Sequence, residues 1–198
     1  MCFAFESMLL CVSPQHSRPG QRLSRRSRST ACRAAGDAPP SSRRNLEDAL
    51  REAVSREDYA AAAALRDQLA FVKRDETQGV EAANAAFYAA FSSMDLAAMD
   101  RLWGVGDAVR CTHPGASCIL GRDAVMASWA HVFRRGGRMA IRAEQLHVHA
   151  AGTLGFVTLL EVVDSGDATG RLECTNIFEQ QEGVWRMVHH HATPAPRI

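Results

Sequence analysis

The chain has 198 residues, 46% of them apolar and 23% charged, enough for one well-buried domain with smaller attachments. No apolar run approaches the ~20 residues that a bilayer-spanning helix needs, so no membrane association is expected. The net charge of +1 hides an asymmetry: residues 1–36 carry six Arg and one Glu, whereas residues 37–198 carry 17 basic and 21 acidic groups, a balance that argues against strong phosphate binding and against a nucleic-acid partner.

Residues 1–36 are rich in Ser, Arg and Ala and nearly free of acids, as in "SPQHSRPGQRLSRRSRSTACRAAG". This is the composition of an organelle transit peptide, and it points to the chloroplast, with the mitochondrion as the alternative. Cleavage near "ACRAA" would leave Cys111, Cys118 and Cys174. Three cysteines make no disulfide framework. Cys111 and Cys118 flank the "HPGA" turn, which leaves a redox pair open beside the ordinary role of small core residues.

The stretch 45–73, "NLEDALREAVSREDYAAAAALRDQLAFVK", holds two helical stripes: Leu46, Leu50 and Ala53, then Ala62, Leu65, Leu69 and Val72. Asn45 with Asp48, and Ser55 with Asp58, have the spacing of capping boxes. Two short amphipathic helices joined by "SRED" predict a helical hairpin. Its "L…L…A…EDY…AA.LRDQL" pattern resembles the UVR motif of bacterial excision-repair proteins, which is also found in plastid proteins. That resemblance implies a protein-docking element.

Residues 78–194 read as the main domain. "GVEAANAAFYAAFSSMD" places Val80, Ala83, Phe87, Phe91 and Met94 on one helical face, and Asp95 caps a following helix in "DLAAMDRLW". "AVRCTHPGASCILG" predicts two short strands about a Pro-Gly turn. "GRDAVMASWAHVFRR" predicts a third helix with Val125, Trp129 and Phe133 on one side. The remainder is strand. In "MAIRAEQLHVHA" the apolar phase slips between Ala143 and Leu146, the mark of a β-bulge. "TLGFVTLLEVVDSG" is nearly continuously apolar, as in a strand covered on both faces, and Glu161 interrupts it. The last two strands turn at Glu182 and Gly183.

Helix, helix, strand pair, helix and four strands define an α+β fold with a curved sheet around helices. The segments "AFYAAFSSMDLAAMDRLW", "CTHPGASCILGRDAVMASW" and "TNIFEQQEGVWRMVHHHATP" resemble, in that order, the nuclear transport factor 2-like superfamily in its SnoaL-like branch. The resemblance implies a cone-shaped domain of three helices in a curved, mostly antiparallel sheet. It also implies a cavity for a small apolar molecule and a homodimer formed through the sheet. The superfamily spans isomerases, cyclases, dehydratases, hydrolases and adaptors, so it implies no single reaction.

Candidate chemistry centres on "VHHH". Adjacent strand residues alternate faces, so His189 and His191 share one face and His190 takes the other. At most two could bind one ion, and further ligands would have to come from His113, Cys111 or the His147 and His149 pair; no such cluster has a recognised metal spacing, so neither metal nor cofactor is expected. For acid/base work, a cavity histidine needs an orienting group and a pKa near neutrality. Glu161, in an otherwise apolar strand, needs a partner, a proton or a wet cavity. The candidate catalytic set is His113, Glu161, His189 and His191. Trp129, Thr175, Asn176 and Cys111 are the candidate ligand-binding residues. Arg134, Arg135, Arg138 and Arg142 form a local basic patch that reads as a solvated loop. No specific catalytic signature is matched, which favours a small-molecule-binding or protein-interaction module. The alternative is an isomerase, cyclase or hydrolase using a cavity histidine with Glu161.

Overall fold

The computed structural model describes residues 42–135, 140–164, 166 and 168–196. The transit-peptide expectation falls on residues 1–36 and lies outside them, as does part of the basic patch. The described chain forms four helices, α1 (Arg43–Ser55), α2 (Tyr59–Ser93), α3 (Leu96–Leu102) and α4 (Arg122–Arg135). Six strands follow the same numbering rule: β1 (Arg110–Thr112), β2 (Ile119–Leu120), β3 (Ala140–Ala151), β4 (Leu154–Asp164), β5 (Thr169–Gln181) and β6 (Val184–Pro194). They make one sheet in the order β2-β1-β6-β5-β4-β3. Only the β1–β6 pair is parallel, and it sets Cys111 beside His190.

The hairpin forms as its stripes predict, with Leu46, Ala53, Ala62 and Leu69 buried between its helices. Its caps differ from the expected boxes. Ser42, not Asn45, caps α1 by accepting from the Asn45 amide, and Asp58 itself caps α2 by accepting from the Ala61 amide. Either oxygen satisfies an orphan donor at a positive helix end.

The second hairpin helix does not stop near residue 73. It runs on without a break to Ser93 and is also the first helix of the main domain. The polar stretch "KRDETQ" has no proline, and Gly79 is the residue of weakest propensity before Val80. Gly79 is required there: a Cβ at this position would stand 2.4 Å from the Trp185 indole nitrogen. Gly155 of β4 has the same function on the other flank, where a Cβ would meet Val80 Cγ2 at 2.4 Å. The two glycines let the helix lie close on the sheet, an approach worth more in buried area than the ~1 kcal/mol a helical glycine costs.

From Val80 onward α2 packs with α3 and α4 on the inner face of the sheet. Val80, Phe87, Met99, Trp103, Val125 and Trp129 are buried there against Val157, Phe178 and Met187. The Met94 residue closes α2 in the left-handed conformation, and Asp95 caps α3 by accepting from the Ala98 amide, as expected. His113-Pro114-Gly115-Ala116 is a type II turn, with Gly115 at φ 73° and the Ala116 amide donating to the His113 carbonyl. Glu182 (φ 52°) and Gly183 (φ 79°) make the tight twisted turn between β5 and β6.

Two bulges set the strand phases. One lies between Glu144 and His147 of β3, where Gln145 has φ 55° and the sequence shows its phase slip. The second falls on Val188 of β6, because Ile177 pairs His189 while the next residue, Phe178, pairs Met187.

Candidate functional site

The β6 bulge decides which histidine enters the interior. An extra residue at Val188 flips the alternation, so His190 points inward and is 2% exposed, while His189 and His191 lie on the outer face. This corrects the expectation that His189 or His191 faces the cavity. Their rings sit 6.2 Å apart outside the cone, and Thr175, paired with His191, is on that same outer side. His113, Glu161, Asn176, Trp129 and Cys111 are all buried on the inner side.

The interior polar groups form three short sets. In the first, His113 Nε2 lies 3.0 Å from Ser128 Oγ, and Ser128 donates its own proton to the Val125 carbonyl at 2.7 Å. Ser128 can then only accept from His113, which fixes the proton on Nε2. Cys111 Sγ is 3.7 Å from the same nitrogen. In the second, Asn176 Nδ2 donates to Asn84 Oδ1 at 2.8 Å, leaving Asn176 Oδ1 to accept from His190 Nδ1 at 2.7 Å. The third is Glu161, which accepts from the Cys174 thiol at 3.7 Å, with Tyr88 beside it. The Tyr88 hydroxyl lies against Glu161 and Asn176, whereas the Trp129 and Trp103 indole nitrogens are buried donors with no hydrogen-bond partner among the described residues.

Aromatic rings fill the space around these sets. Trp129 stands edge-on to His113 (4.9 Å between centroids), Phe91 (5.0 Å) and Phe87 (5.5 Å), and 5.8 Å from His190. Phe133 stacks with Phe91 at 6.2 Å. The side chains that would line a cone cavity thus pack on one another. A cleft of about 390 Å³ lies outside the cone, where Arg43, Glu47 and Arg51 of α1 face Ala151 and Gly152 of the β3–β4 turn.

Electrostatics follow burial. Removal from water pushes the His113 imidazole down to about 4 and that of His190 down to about 3, with neighbouring histidines adding to the second effect. Both are therefore neutral near pH 7. Burial pushes the Glu161 carboxyl up to about 7, against the opposing pull of Tyr88 and Cys174. The Cys111 and Cys174 thiols are raised by burial as well, which makes them poor nucleophiles. Cys111 pairs with Ile119 across the hairpin and not with Cys118, which is exposed; both thiols are free. Among the described residues no three His, Cys, Asp or Glu side chains converge as a metal site, and no helix is long and apolar enough to cross a membrane.

Tyr88, Asn84, Ser128 and His190 were absent from the sequence candidates. A signal exists for the first three. Asn84 and Tyr88 continue the Val80 stripe at four-residue steps, and Ser128 lies between Val125 and Val132 on the buried face of α4. A polar residue on an apolar stripe is a buried polar residue.

A SnoaL-like domain model matches residues 80–196, and a UvrB/uvrC motif model matches residues 41–75. The chain belongs to the SnoaL-like domain family, with the nuclear transport factor 2-like α+β fold. The F-box protein SKIP8 of Arabidopsis thaliana is 27% identical over 117 residues, which are 59% of this chain and 50% of that protein. The chain thus spans about half the length of this curated relative. A crystal structure from Thiobacillus denitrificans, described as a calcium/calmodulin-dependent protein kinase type II association domain, is 35% identical. The match covers 59% of this chain and 94% of that one, with a TM-score of 0.55. One from Streptomyces avermitilis, described as a dehydratase of the NTF2-like family, is 26% identical over 63% of this chain and 99% of that one, with a TM-score of 0.58.

Proposed function

We propose that the chain is a chloroplast-targeted assembly module. Its UVR-like hairpin docks a protein partner, and its SnoaL-like domain pairs with a second copy and holds the hairpin in a fixed direction. The observation that carries this reading is the single helix Tyr59–Ser93, which belongs to both parts at once. Arg43 adds a second tie: its guanidinium donates to Glu47, to Glu76 of α2 and to the Ala150 carbonyl of β3. A flexible tether would need neither. The packed interior and two histidines held neutral support a structural use of the cone over acid/base turnover. The 35% likeness to a structure described as an association domain supports the same reading.

The experiment uses the intact chain as bait in a chloroplast extract, against a Gln78→Pro variant. Proline there removes a helical hydrogen bond and clashes with the preceding turn, which uncouples hairpin from domain while leaving each part its own core. Loss of specific partners in the variant supports the module. Equal recovery by both, or specific recovery by neither, counts against it.

A second reading has one specific observation in its favour. Trp129 carries a buried indole donor with no partner among the described residues, which a small molecule with an acceptor oxygen would satisfy if the aromatic cluster opened. In that reading Glu161 is the acid/base group. Native mass spectrometry of the intact chain tests it: an organic excess mass supports the reading, and the bare polypeptide mass opposes it.

A further inference from the structure

Glu161 occupies the middle of β4 on the inner face, between Ala143 of β3 and Leu172 of β5, at the seam where α2 meets the sheet. It is 2% exposed. The titratable groups that meet it are Tyr88 from α2 and Cys174 from β5; its β3 neighbour, Ala143, brings none. Among the described residues no Lys, Arg or His forms an ion pair with it. A neutral carboxyl suits such a seam. A carboxylate there has no cation, one weak thiol donor and one further donor beside it, the Tyr88 hydroxyl.

We infer that Glu161 is a pH-responsive latch: neutral, it keeps α2 seated on the sheet, and ionised, it loosens that seam and the helix carrying the hairpin with it. The part concerning the hairpin rests on the docking function proposed above; the part concerning the seam does not. An ionised Glu161 draws the Tyr88 proton or admits water, and either moves α2, because Tyr88 is a residue of that helix. The movement has no hinge to absorb it before Tyr59, since the helix is unbroken. His113 and His190 do not share this behaviour. His113 meets α4 through Ser128, and His190 meets α2 through Phe87 and the Asn176–Asn84 pair, but both are already neutral in the seated state at pH 6, so the seated protein gains no charge at either ring between pH 6 and pH 8.

The test is hydrogen exchange of the intact chain at pH 6 and pH 8, corrected for the intrinsic chemical rate and read on α2 amides around Tyr88. A carboxyl shifted to about 7 in the seated state and ordinary when released predicts about a tenfold fall in protection between those two pH values. Glu161→Gln removes the fall. Tyr88→Phe, which deletes a donor that favours the ionised form, moves the fall to higher pH and keeps the test alive if the glutamine variant does not fold. Unchanged wild-type protection, or the same fall in Glu161→Gln, overturns the latch. No partner is used in this measurement, so a flat profile leaves the docking reading standing, and failed docking leaves the latch standing.

Discussion

Gly79 of α2 lies so close beneath Trp185 of β6 that a Cβ would sit 2.4 Å from the indole nitrogen and 2.5 Å from Cδ1. This contact stands where α2 passes from the hairpin to the domain, and it turns an ordinary helix rule around. Gly→Ala in a helix interior normally stabilises by about 1 kcal/mol. Here Gly79→Ala is expected to destabilise by about 1–2 kcal/mol through overpacking. In a Trp185→Ala background the same change should become stabilising. Urea unfolding of the four proteins of this double-mutant cycle measures the reversal.

Replacing Asn176 with Leu separates the interior hydrogen bonds from simple packing. It leaves the His190 Nδ1 proton and the Asn84 carbonyl oxygen buried without partners. The expected cost is about 2–4 kcal/mol, read from chemical denaturation.

The three consecutive histidines should behave unequally. His190→Ala removes a fully buried ring packed on Phe87 and Trp129, and is expected to cost about 3 kcal/mol. His189→Ala and His191→Ala act on the outer face and should stay within about 0.5 kcal/mol in the isolated chain. Equal effects at all three positions would contradict the placement of the β6 bulge.

Much of this arrangement is readable from the chain itself. The apolar stripes through Val80, Phe87, Val125 and Trp129 are long and periodic, the Pro-Gly and Glu-Gly turns have specific backbone demands, and the β3 bulge shows as a slip in alternation. The β6 bulge does not. Counting inward from Trp185 and Met187 brings His189 and His191 to the interior, because Val188 is apolar in either phase and nothing local marks it as the extra residue. The join at residues 73–79 was hidden for a similar reason. A polar run ending in Gly is equally good as a loop or as a solvated helix, and what decides is tertiary, namely Trp185 lying over Gly79 and Arg43 reaching Glu76 and Ala150.

Stability should peak in a narrow band near pH 6.5. His113 and His190 are neutral when folded and titrate at about 6.5 when unfolded, so the unfolded chain binds more protons below that value. Their contribution is complete above pH 6.5 and is lost as the pH falls towards 4 and then 3, on the order of 3 kcal/mol for His113 and 5 kcal/mol for His190. Glu161 has the opposite sign. Its raised folded value means the folded chain holds the extra proton, so a penalty grows from about pH 4.5 and is complete somewhat above 7. Urea midpoints between pH 4 and 9 should trace both limbs, and Glu161→Gln should remove the decline above pH 6.5 and steepen the rise below it, with a gain of up to about 3 kcal/mol at pH 8.5.

Arg43→Ala should loosen α1 without unfolding the domain. The side chain is the bond between the hairpin, Glu76 and the edge-strand carbonyl of Ala150. Amide exchange in α1 is expected to rise about tenfold, matching the loss of about 1.4 kcal/mol, while protection in β4 to β6 is unchanged.

The central claim is that hairpin and SnoaL-like domain are one rigid body through α2. Residual dipolar couplings of backbone amides in the intact chain test it most directly, by fitting α1 with the first half of α2 separately from the sheet. The shared helix predicts that both sets give the same alignment tensor, in magnitude and orientation, and that Gln78→Pro makes them differ. Distinct tensors in the wild-type protein at pH 6.5 would contradict it, and with it the reading of the hairpin as a docking element held in a fixed direction.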